Sequence, residues 1–328
     1  MRFARMRRTP AAGALATGLA LTLSLAACGG GGESKNDKGL EKTDLTVGVM
    51  PITEGAGVQI AIDKGYFKQE GLNVRIRTIR GAAEGMPLLQ GGSLDISQGG
   101  HVGVIKAQAS GLLHLKIVAE ASSMSKALNG VLVPKDSPIK SPTDLAGKKI
   151  GTNARGDQNS LLLRATLAPY KVTIDEDKSV IVAPFPNQEQ LLKSGKVDAI
   201  AVPEPFVTQV QKDLGARLLT DFAQGPTKDF PITGFDCTEA FAKKNPKTVA
   251  AFQRAFRKAQ ADAGNRAILA SAMGHFTKLD PQLVQVISMN GFPTSTNAVR
   301  LQRVADVMKE FGYLKQPFAV NTMVLENS

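Results

Sequence analysis

The amino-acid sequence predicts an α/β protein of two lobes, and three observations support that prediction. Short β-rich runs alternate with helical segments, which is typical of βαβ units and a mainly parallel sheet. With 43% hydrophobic and 21% charged residues, the composition is that of a globular chain. The chain has 328 residues, and the part that follows its N-terminal leader is longer than one hydrophobic core usually serves.

The alternation of strands and helices extends over the first two thirds of the chain. The β-rich runs predict strands at 45–49, 72–78, 94–97, 115–119, 130–134, 149–152, 180–182 and 199–202. The segments between them predict helices at 58–64, 85–90, 102–109, 159–167, 188–193 and 205–213. A second set of strands begins at 130–134, as expected for a second lobe.

The last third of the chain predicts helices. Pro246 suits the first turn of a helix with Asn245 as its cap. Apolar side chains then recur on one face of this helix, at Val249, Phe252, Ala255, Phe256 and Ala259. Shorter helices are predicted after Asp280 and Thr294. The apolar face of the second is expected to consist of Val299, Val304, Val307, Met308 and Phe311.

The first 28 residues have the layout of a secretory signal peptide. A segment with four arginines precedes a short, weakly apolar stretch, which ends in small residues before Cys28. Leu25-Ala-Ala-Cys28 resembles a bacterial lipobox, which predicts removal of 1–27, acylation of Cys28 by palmitate-like chains and a flexible tether over 28–42. Ordinary cleavage with an unmodified Cys28 is the alternative. Arg7-Arg8 leaves twin-arginine export open beside the general route.

Charge and cysteine content argue against several classes of protein. The formal net charge is +11, and removal of the four leader arginines lowers it by four, to +7. The remaining Lys and Arg form no dense basic block, so nucleic-acid binding is not predicted. No other apolar run is long enough to span a membrane. With Cys28 acylated, Cys237 has no cysteine to pair with, and a small buried thiol is its expected role.

The sequence contains no arrangement typical of an enzyme or a metal site. The three histidines, His101, His114 and His275, form no zinc-binding motif. Neither the nucleophile pattern Gly-x-Ser-x-Gly nor a phosphate-binding Walker A loop occurs. We therefore predict a binding protein without catalytic residues, cofactor or metal.

Five segments, in a fixed order along the chain, resemble the substrate-binding proteins of ABC importers for sulfonates, taurine, nitrate and thiamin precursors. They are Ile60–Val74, Gly91–Gly100, Asp144–Gly151, Leu192–Phe206 and Asn245–Phe252. Each segment is a weak signal by itself. Their order, after a lipobox, makes the resemblance specific.

This resemblance implies the periplasmic-binding-protein type 2 fold, an α/β fold of two lobes that hold a solute in the cleft between them. Lobe one is expected to combine 43–130 with 235–328, and lobe two to contain 131–234. The two crossovers between the lobes are expected near Val131–Val133 and Phe230–Phe235.

The resemblance also implies a monomeric lipoprotein at the extracytoplasmic face of a bacterial cell membrane. Its partners would be an ABC permease with its ATPase and the membrane that holds its lipid anchor. Its solute would be a sulfonate, a nitrate-like anion or a nitrogen heterocycle such as a thiamin precursor. A pyrimidine-precursor enzyme of the same fold and a cell-surface adhesion lipoprotein are the alternatives.

Loops beyond the carboxyl ends of the predicted strands are the candidate solute site, because ligands bind there in open α/β sheets. The loop after the first strand carries the polar residues Thr53 and Glu54 among glycines. The third predicted strand leads into a loop with Gln98, Gly99 and His101, before a helix whose free N–H groups suit an anion or a carbonyl. Simple turn formation is the alternative for each loop.

In lobe two, Asn153 and Asp157 precede a helix, and Asp157 either contacts solute or only caps that helix. In the family, a Gly-Ser-type helix start contacts anionic ligands through backbone amides. This sequence departs from that pattern because Asp157 follows Gly156, which weakens the case for a small oxyanion. Glu204, held between two prolines after a strand, is expected as an exposed carboxylate at the rim of the cleft.

The candidate acids suggest a charge preference without deciding it. Glu54, Asp157 and Glu204 together suit a solute with an amine or several N–H donors. Arg80 and Arg155 follow strands in the same regions, and each is placed to neutralise one carboxylate. The sign of the charge in the pocket therefore stays open.

Overall fold

The computed structural model describes residues 38–277 and 279–326. The predicted signal peptide, Cys28 and most of the predicted tether lie outside these residues. The last two tether residues belong to the folded part: Thr248 donates its backbone N–H to Glu41 Oε2 over 3.0 Å, and Lys42 pairs with Asp95 at 2.6 Å.

Five strands form the first sheet, in the order β2-β1-β3-β10-β4 when strands are numbered along the chain. They are β1 (Asp44–Val49), β2 (Asn73–Thr78), β3 (Ile96–Gly100), β4 (Leu115–Ser123) and β10 (Pro231–Thr238). β1 is parallel to β2 and β3, whereas β10 is antiparallel to β3 and β4. The connecting helices are α1 (Ala56–Asp63), α2 (Tyr66–Gln69), α3 (Ala82–Gln90) and α4 (His101–Ala109).

The second sheet has the order β7-β6-β8-β5-β9. Its strands are β5 (Asn129–Val133), β6 (Ile150–Thr152), β7 (Val180–Val182), β8 (Ala199–Pro203) and β9 (Arg217–Asp221). β6 is parallel to β7 and β8, whereas β5 is antiparallel to β8 and β9. The helices are α5 (Gln158–Leu167), α6 (Glu176–Ser179), α7 (Phe185–Lys193) and α8 (Phe206–Leu214). Each sheet with the helices packed on it forms one lobe.

The chain passes between the sheets at 124–128 and 222–230. Val131–Val133, expected to be the first crossover, lies in a strand instead, and of the expected second crossover only Phe230 falls in a connecting segment. Val131–Val133 is buried in β5 between β8 and β9, and Phe235 lies in the middle of β10. Val131–Val133 is fully apolar, and such a run is buried on both faces of a central strand, which explains why it pairs inside the second sheet.

The C-terminal helices pack on the first sheet. They are α9 (Glu239–Lys244), α10 (Pro246–Ala263), α11 (Arg266–Phe276), α12 (Pro281–Val284) and α13 (Ala298–Glu310). The predicted apolar face of α10 is buried: Phe252 and Phe256 stack with ring centroids 5.8 Å apart, and Phe235 of β10 meets Phe256 edge-on at 5.0 Å. In the described part of the chain, no helix is long and apolar enough to cross a membrane.

Two local predictions for these helices need correction. Asn245 holds the predicted N-cap position of α10, but its side chain donates to the Phe241 carbonyl over 3.0 Å and makes no capping hydrogen bond. Val299 is 80% exposed, because α13 begins only at Ala298 with Asn297 as its cap. Val299 lies five positions before the buried Val304. At about 100° per residue, the Val299 side chain therefore points about 140° away from the buried stripe of the helix.

The lobes meet where α4 faces the start of α5. The backbone N–H of Val102 donates to Gln158 Oε1 over 3.1 Å, so a side chain of lobe two satisfies a free donor at the start of a lobe-one helix. Gly100 permits this approach, since a Cβ there would lie 3.0 Å from the Cβ of Gln158.

Tyr313, which follows α13, makes a second contact between the lobes. Its hydroxyl donates to Glu176 Oε1 over 2.5 Å, and the other carboxylate oxygen accepts from the Gly156 N–H over 2.7 Å. The Arg164 guanidinium lies 5.3 Å from the centre of the Tyr313 ring. Burial, followed by the contact with Glu176, raises the pKa of Tyr313, so the hydroxyl stays protonated and donates.

Replacing Tyr313 with Phe removes this donor and leaves the ring. We expect the free energy of unfolding, measured in urea, to fall by about 1.5 kcal/mol, as for a hydrogen bond to a charged group. Tyr170→Phe is the matched control, because Tyr170 is an exposed tyrosine. Equal stabilities for the two variants would show that the contact between Tyr313 and Glu176 contributes nothing.

Candidate functional site

Thr53 and Glu54 lie in a short 3-10 turn directly after β1, at the carboxyl end of a central strand. Both are buried, with 0% and 2% of their surfaces exposed. The Thr53 hydroxyl donates to Glu54 Oε2 over 3.1 Å. The strand order therefore places a buried carboxyl group where ligands bind in α/β sheets.

Burial raises the pKa of Glu54 to about 7. Hydrogen bonds from its own backbone and from Thr53 oppose the rise, whereas the nearby charge of Glu204 adds to it. The Asn290 amide faces this carboxyl and also lowers its pKa, but it makes no hydrogen bond of ordinary length and angle within the described residues. Glu54 is thus a carboxyl group with few donors and an acidic neighbour.

Glu204 is fully buried, so the predicted exposed position at the rim of the cleft is wrong. Its Oε1 accepts from the Thr208 hydroxyl over 2.6 Å and from the Ser288 N–H over 2.9 Å. Its Oε2 accepts from the Thr208 N–H over 3.0 Å. Burial raises the pKa of Glu204, and these three donors oppose that rise. Because Ser288 belongs to lobe one, Glu204 also joins the two lobes.

Gln98, Gly99 and His101 do not form the predicted loop. Gln98 and Gly99 lie in β3, and His101 is the first residue of α4. Gln98 Oε1 accepts from the Met50 N–H over 2.9 Å, which fixes this side chain beside the turn after β1. Burial lowers the pKa of His101 to about 3, so its imidazole is neutral near pH 7.

Asp157 caps α5 by accepting from the Ser160 N–H over 3.0 Å, and Asn153 Nδ2 donates to its other oxygen over 2.8 Å. Burial raises the pKa of Asp157 to about 6. Asn153 and Asp157 therefore hydrogen-bond with each other and not with Glu54 or Glu204. Asp157 therefore caps α5, as the alternative interpretation predicts. A contact of Asn153 or Asp157 with solute stays a prediction.

The two arginines proposed to neutralise carboxylates have other partners. Arg80 pairs with Glu84 at 2.9 Å, and Arg155 donates to the carbonyls of Glu176 and Val180, each over 2.7 Å. Among residues 38–277 and 279–326, none of the ion pairs includes Glu54 or Glu204.

The structure thus brings together Thr53, Glu54 and Glu204 of the predicted site residues. It adds Ser288 and Asn290, which sequence reasoning missed. These two lie in an irregular segment between α12 and α13, where Asn290-Gly291 suggests only a turn. Their relation to the strands becomes visible only when β10 brings the C-terminal third back to the first sheet.

The site contains polar groups suited to binding, and two other reactive side chains, Cys237 and His275, lie away from it. Cys237 is buried in β10, and burial raises the pKa of its thiol. His275 lies on the surface, where it contacts Asp63 at 2.8 Å. In the described residues, no three His, Cys, Asp or Glu side chains are placed to hold a metal ion.

Replacing Glu204 with Gln is expected to destabilise the protein, because an amide cannot accept all three hydrogen bonds. The free energy of unfolding, measured in urea, should fall by about 1–3 kcal/mol. Glu310→Gln, on the exposed side of α13, is the control and should stay within about ±0.5 kcal/mol of the unchanged protein. If Glu204→Gln is as stable as this control, the buried hydrogen bonds do not contribute as described.

Three comparisons place the chain among known proteins. Residues 52–267, well over half of the chain, match the model of the NMT1/THI5 like family. A Bacillus subtilis (strain 168) protein with the provisional name aliphatic sulfonates-binding protein is 28% identical over 246 residues, which cover 74% of this chain and 71% of the relative. The nitrate import ATP-binding protein NrtC of Synechocystis sp. (strain ATCC 27184 / PCC 6803 / Kazusa) is 28% identical over 211 residues, which cover 58% of this chain and 30% of NrtC.

Among solved structures, the alkanesulfonate-binding protein SsuA from Xanthomonas axonopodis pv. citri, bound to MOPS, has a TM-score of 0.72 at 19% identity. The similarity covers 87% of this chain and 98% of SsuA. It confirms the predicted two-lobed periplasmic-binding-protein fold. Together with the family match, it also confirms the resemblance seen in the sequence: this chain belongs to the NMT1/THI5-like family.

Proposed function

We propose that this protein is an extracytoplasmic solute-binding protein that delivers a small organic solute to an ABC importer. The observation that carries the proposal is the hydrogen bond by which Ser288 of lobe one donates to Glu204, which follows a central strand of the second sheet, near enough to Glu54 of lobe one for the two charges to interact. Groups from both lobes at one buried point are what a cleft needs in order to close on a solute.

The relatives support the same role and the same partners. The names of two of them refer to binding of sulfonates and to ATP-linked import of nitrate. A permease and its ATPase are therefore the partners we propose, with this chain as the component that carries solute to them. The relatives' names suggest an oxyanion, whereas the acids of this site favour a solute with N–H donors.

The two alternative functions have less support. A pyrimidine-precursor enzyme needs a reactive group in the cleft, but His101 is held neutral and Cys237 lies buried in β10. An adhesion lipoprotein would have no use for buried acids from two lobes. Formation of a product from an incubated solute would favour the enzyme, and the absence of any solute-induced stabilisation would favour the adhesin.

We also propose that Cys28 carries the lipid anchor, on the basis of Leu25-Ala-Ala-Cys28. Cys28→Ala is expected to move the protein from the membrane fraction to the soluble extracytoplasmic fraction, because acyl chains supply the membrane affinity. Cys237→Ala, tested by the same fractionation, is the control. A Cys28→Ala protein that stays with the membrane would refute the anchor.

Closure on solute is the central expectation of this function. We propose that lobe two comprises the second sheet, at about 129–221, and that the segments at 124–128 and 222–230 act as hinges. The candidate loops are expected to approach one solute only in the closed state. They are Thr53–Gly57, Gln98–His101, Asn153–Gln158 and Pro203–Pro205.

The test uses the solute recovered from the purified protein and identified by mass spectrometry. Its addition is expected to reduce the radius of gyration in X-ray scattering and to slow hydrogen exchange in loops of both lobes. Protection of one lobe alone would indicate a surface site, and the importer function would lose its physical basis.

A further inference from the structure

The two acids at the centre of the cleft differ in how they are satisfied. Glu204 accepts three hydrogen bonds, from Thr208 and Ser288, and these favour its charged form. Glu54 accepts one side-chain hydrogen bond of ordinary length and angle, from Thr53, and the Asn290 amide faces it without forming a second one. Of the two carboxyl groups, Glu54 is therefore the one that holds a proton more readily.

The groups around this pair include no cation that could neutralise both acids. Thr53, Thr208, Ser288 and Asn290 are uncharged, and no ion pair among the described residues includes either glutamate. Arg266 exerts a weak field on Glu204, but its guanidinium donates to the carbonyls of Val284 and Ile287. Two buried carboxylates without a countercharge are unfavourable, so a proton or a bound cation is required.

Asn290 supplies an independent sign of a ligand. It is 6% exposed, it faces Glu54, and neither its amide nitrogen nor its amide oxygen makes a hydrogen bond of ordinary length and angle within the described residues. A buried amide without well-formed hydrogen bonds is uncommon in a native protein. A solute bound beside Glu54 and Asn290 would supply them.

We propose that the solute is an organic monocation, such as a protonated amine or a protonated nitrogen heterocycle, which takes the place of a proton on Glu54. With Glu54 protonated, the pair carries one negative charge. When the cation binds, the proton leaves for solvent and the cation's N–H groups donate to Glu54 and Glu204, so the net charge of the site is again minus one. This inference rests on the proposed solute-binding function, and it excludes sulfonates and nitrate as the preferred solutes.

The exchange predicts how affinity depends on pH. Burial places the pKa of Glu54 at about 7. Below that pH the cation must displace a proton, so its Kd is expected to rise about tenfold each time the pH is lowered by one unit. Above it the proton is already absent and Kd is expected to level off.

Titration calorimetry on the full chain tests this with two sets of probes of matched shape. Benzamidinium, benzamide and benzoate form one set, and butylammonium, butanol and butanesulfonate form the other; both cations keep their charge from pH 5 to pH 8. At least one cation is expected to bind ten times more tightly at pH 8 than its neutral and anionic counterparts. Its binding at pH 6 is expected to release about one proton, measured from the difference between phosphate and MES, which both buffer at that pH and differ in ionisation enthalpy.

Variants assign the exchange to Glu54. Glu54→Gln is expected to abolish the pH dependence of cation binding and to weaken binding at pH 8 tenfold or more, because Gln imitates the protonated acid. Glu310→Gln is the control and is expected to behave like the unchanged protein. Cation binding by Glu54→Gln that keeps its pH dependence would overturn the assignment.

The outcomes separate this inference from the proposed function. An anion that binds as tightly as the cation of its set and reduces the radius of gyration would overturn the charge preference and leave the solute-binding function standing. Failure of both cations to bind would also overturn the inference. If, in addition, the solute recovered from the protein fails to close the lobes, the proposed function fails as well.

Discussion

The antiparallel insertion of β10 between β3 and β4 joins the C-terminal third of the chain to the first sheet. This strand pairs with both neighbours and carries Phe235 onto the aromatic cluster of α10. It also returns the chain from lobe two to lobe one, so that the C-terminal helices pack on the first sheet. Because of this return, Ser288 and Asn290 lie beside Glu204, which follows β8, and Glu54, which follows β1.

Burial of two acids from opposite lobes is the main electrostatic feature of the cleft. Taking a carboxylate out of water is costly unless donors or a countercharge compensate. Three donors stabilise the charged form of Glu204. Glu54 has one side-chain donor of ordinary geometry and an acidic neighbour, so it is protonated more readily than Glu204. The fold is shared with a sulfonate-binding protein, but the charge of this cleft follows from its own residues.

The strands recognised in the sequence have a local pattern, which is either an apolar run, as in β5 and β8, or an alternation of apolar and polar residues, as in the edge strand β2. The unrecognised strands lack it: β9 is only partly buried, and β10 contains Gly234 and Asp236 among its apolar residues. The candidate site also contains residues that a local pattern predicts and residues that it does not. Thr53 and Glu54 are identifiable from the sequence because they follow a clear strand, whereas the charge and flanking prolines of Glu204 predict an exposed turn.

Local periodicity and ordered motifs suffice to predict the α/β class, the positions of most helices and strands, the buried stripe of α10 and membership of the family. The partners of the polar residues follow only from the folded structure. Glu204 meets the backbone of Ser288, 84 positions away, and Gln158 meets that of Val102, 56 positions away. The periodicity of apolar residues predicts that a side chain is buried. A hydrogen bond between distant segments depends on how helices and strands pack together, which no local sequence pattern predicts.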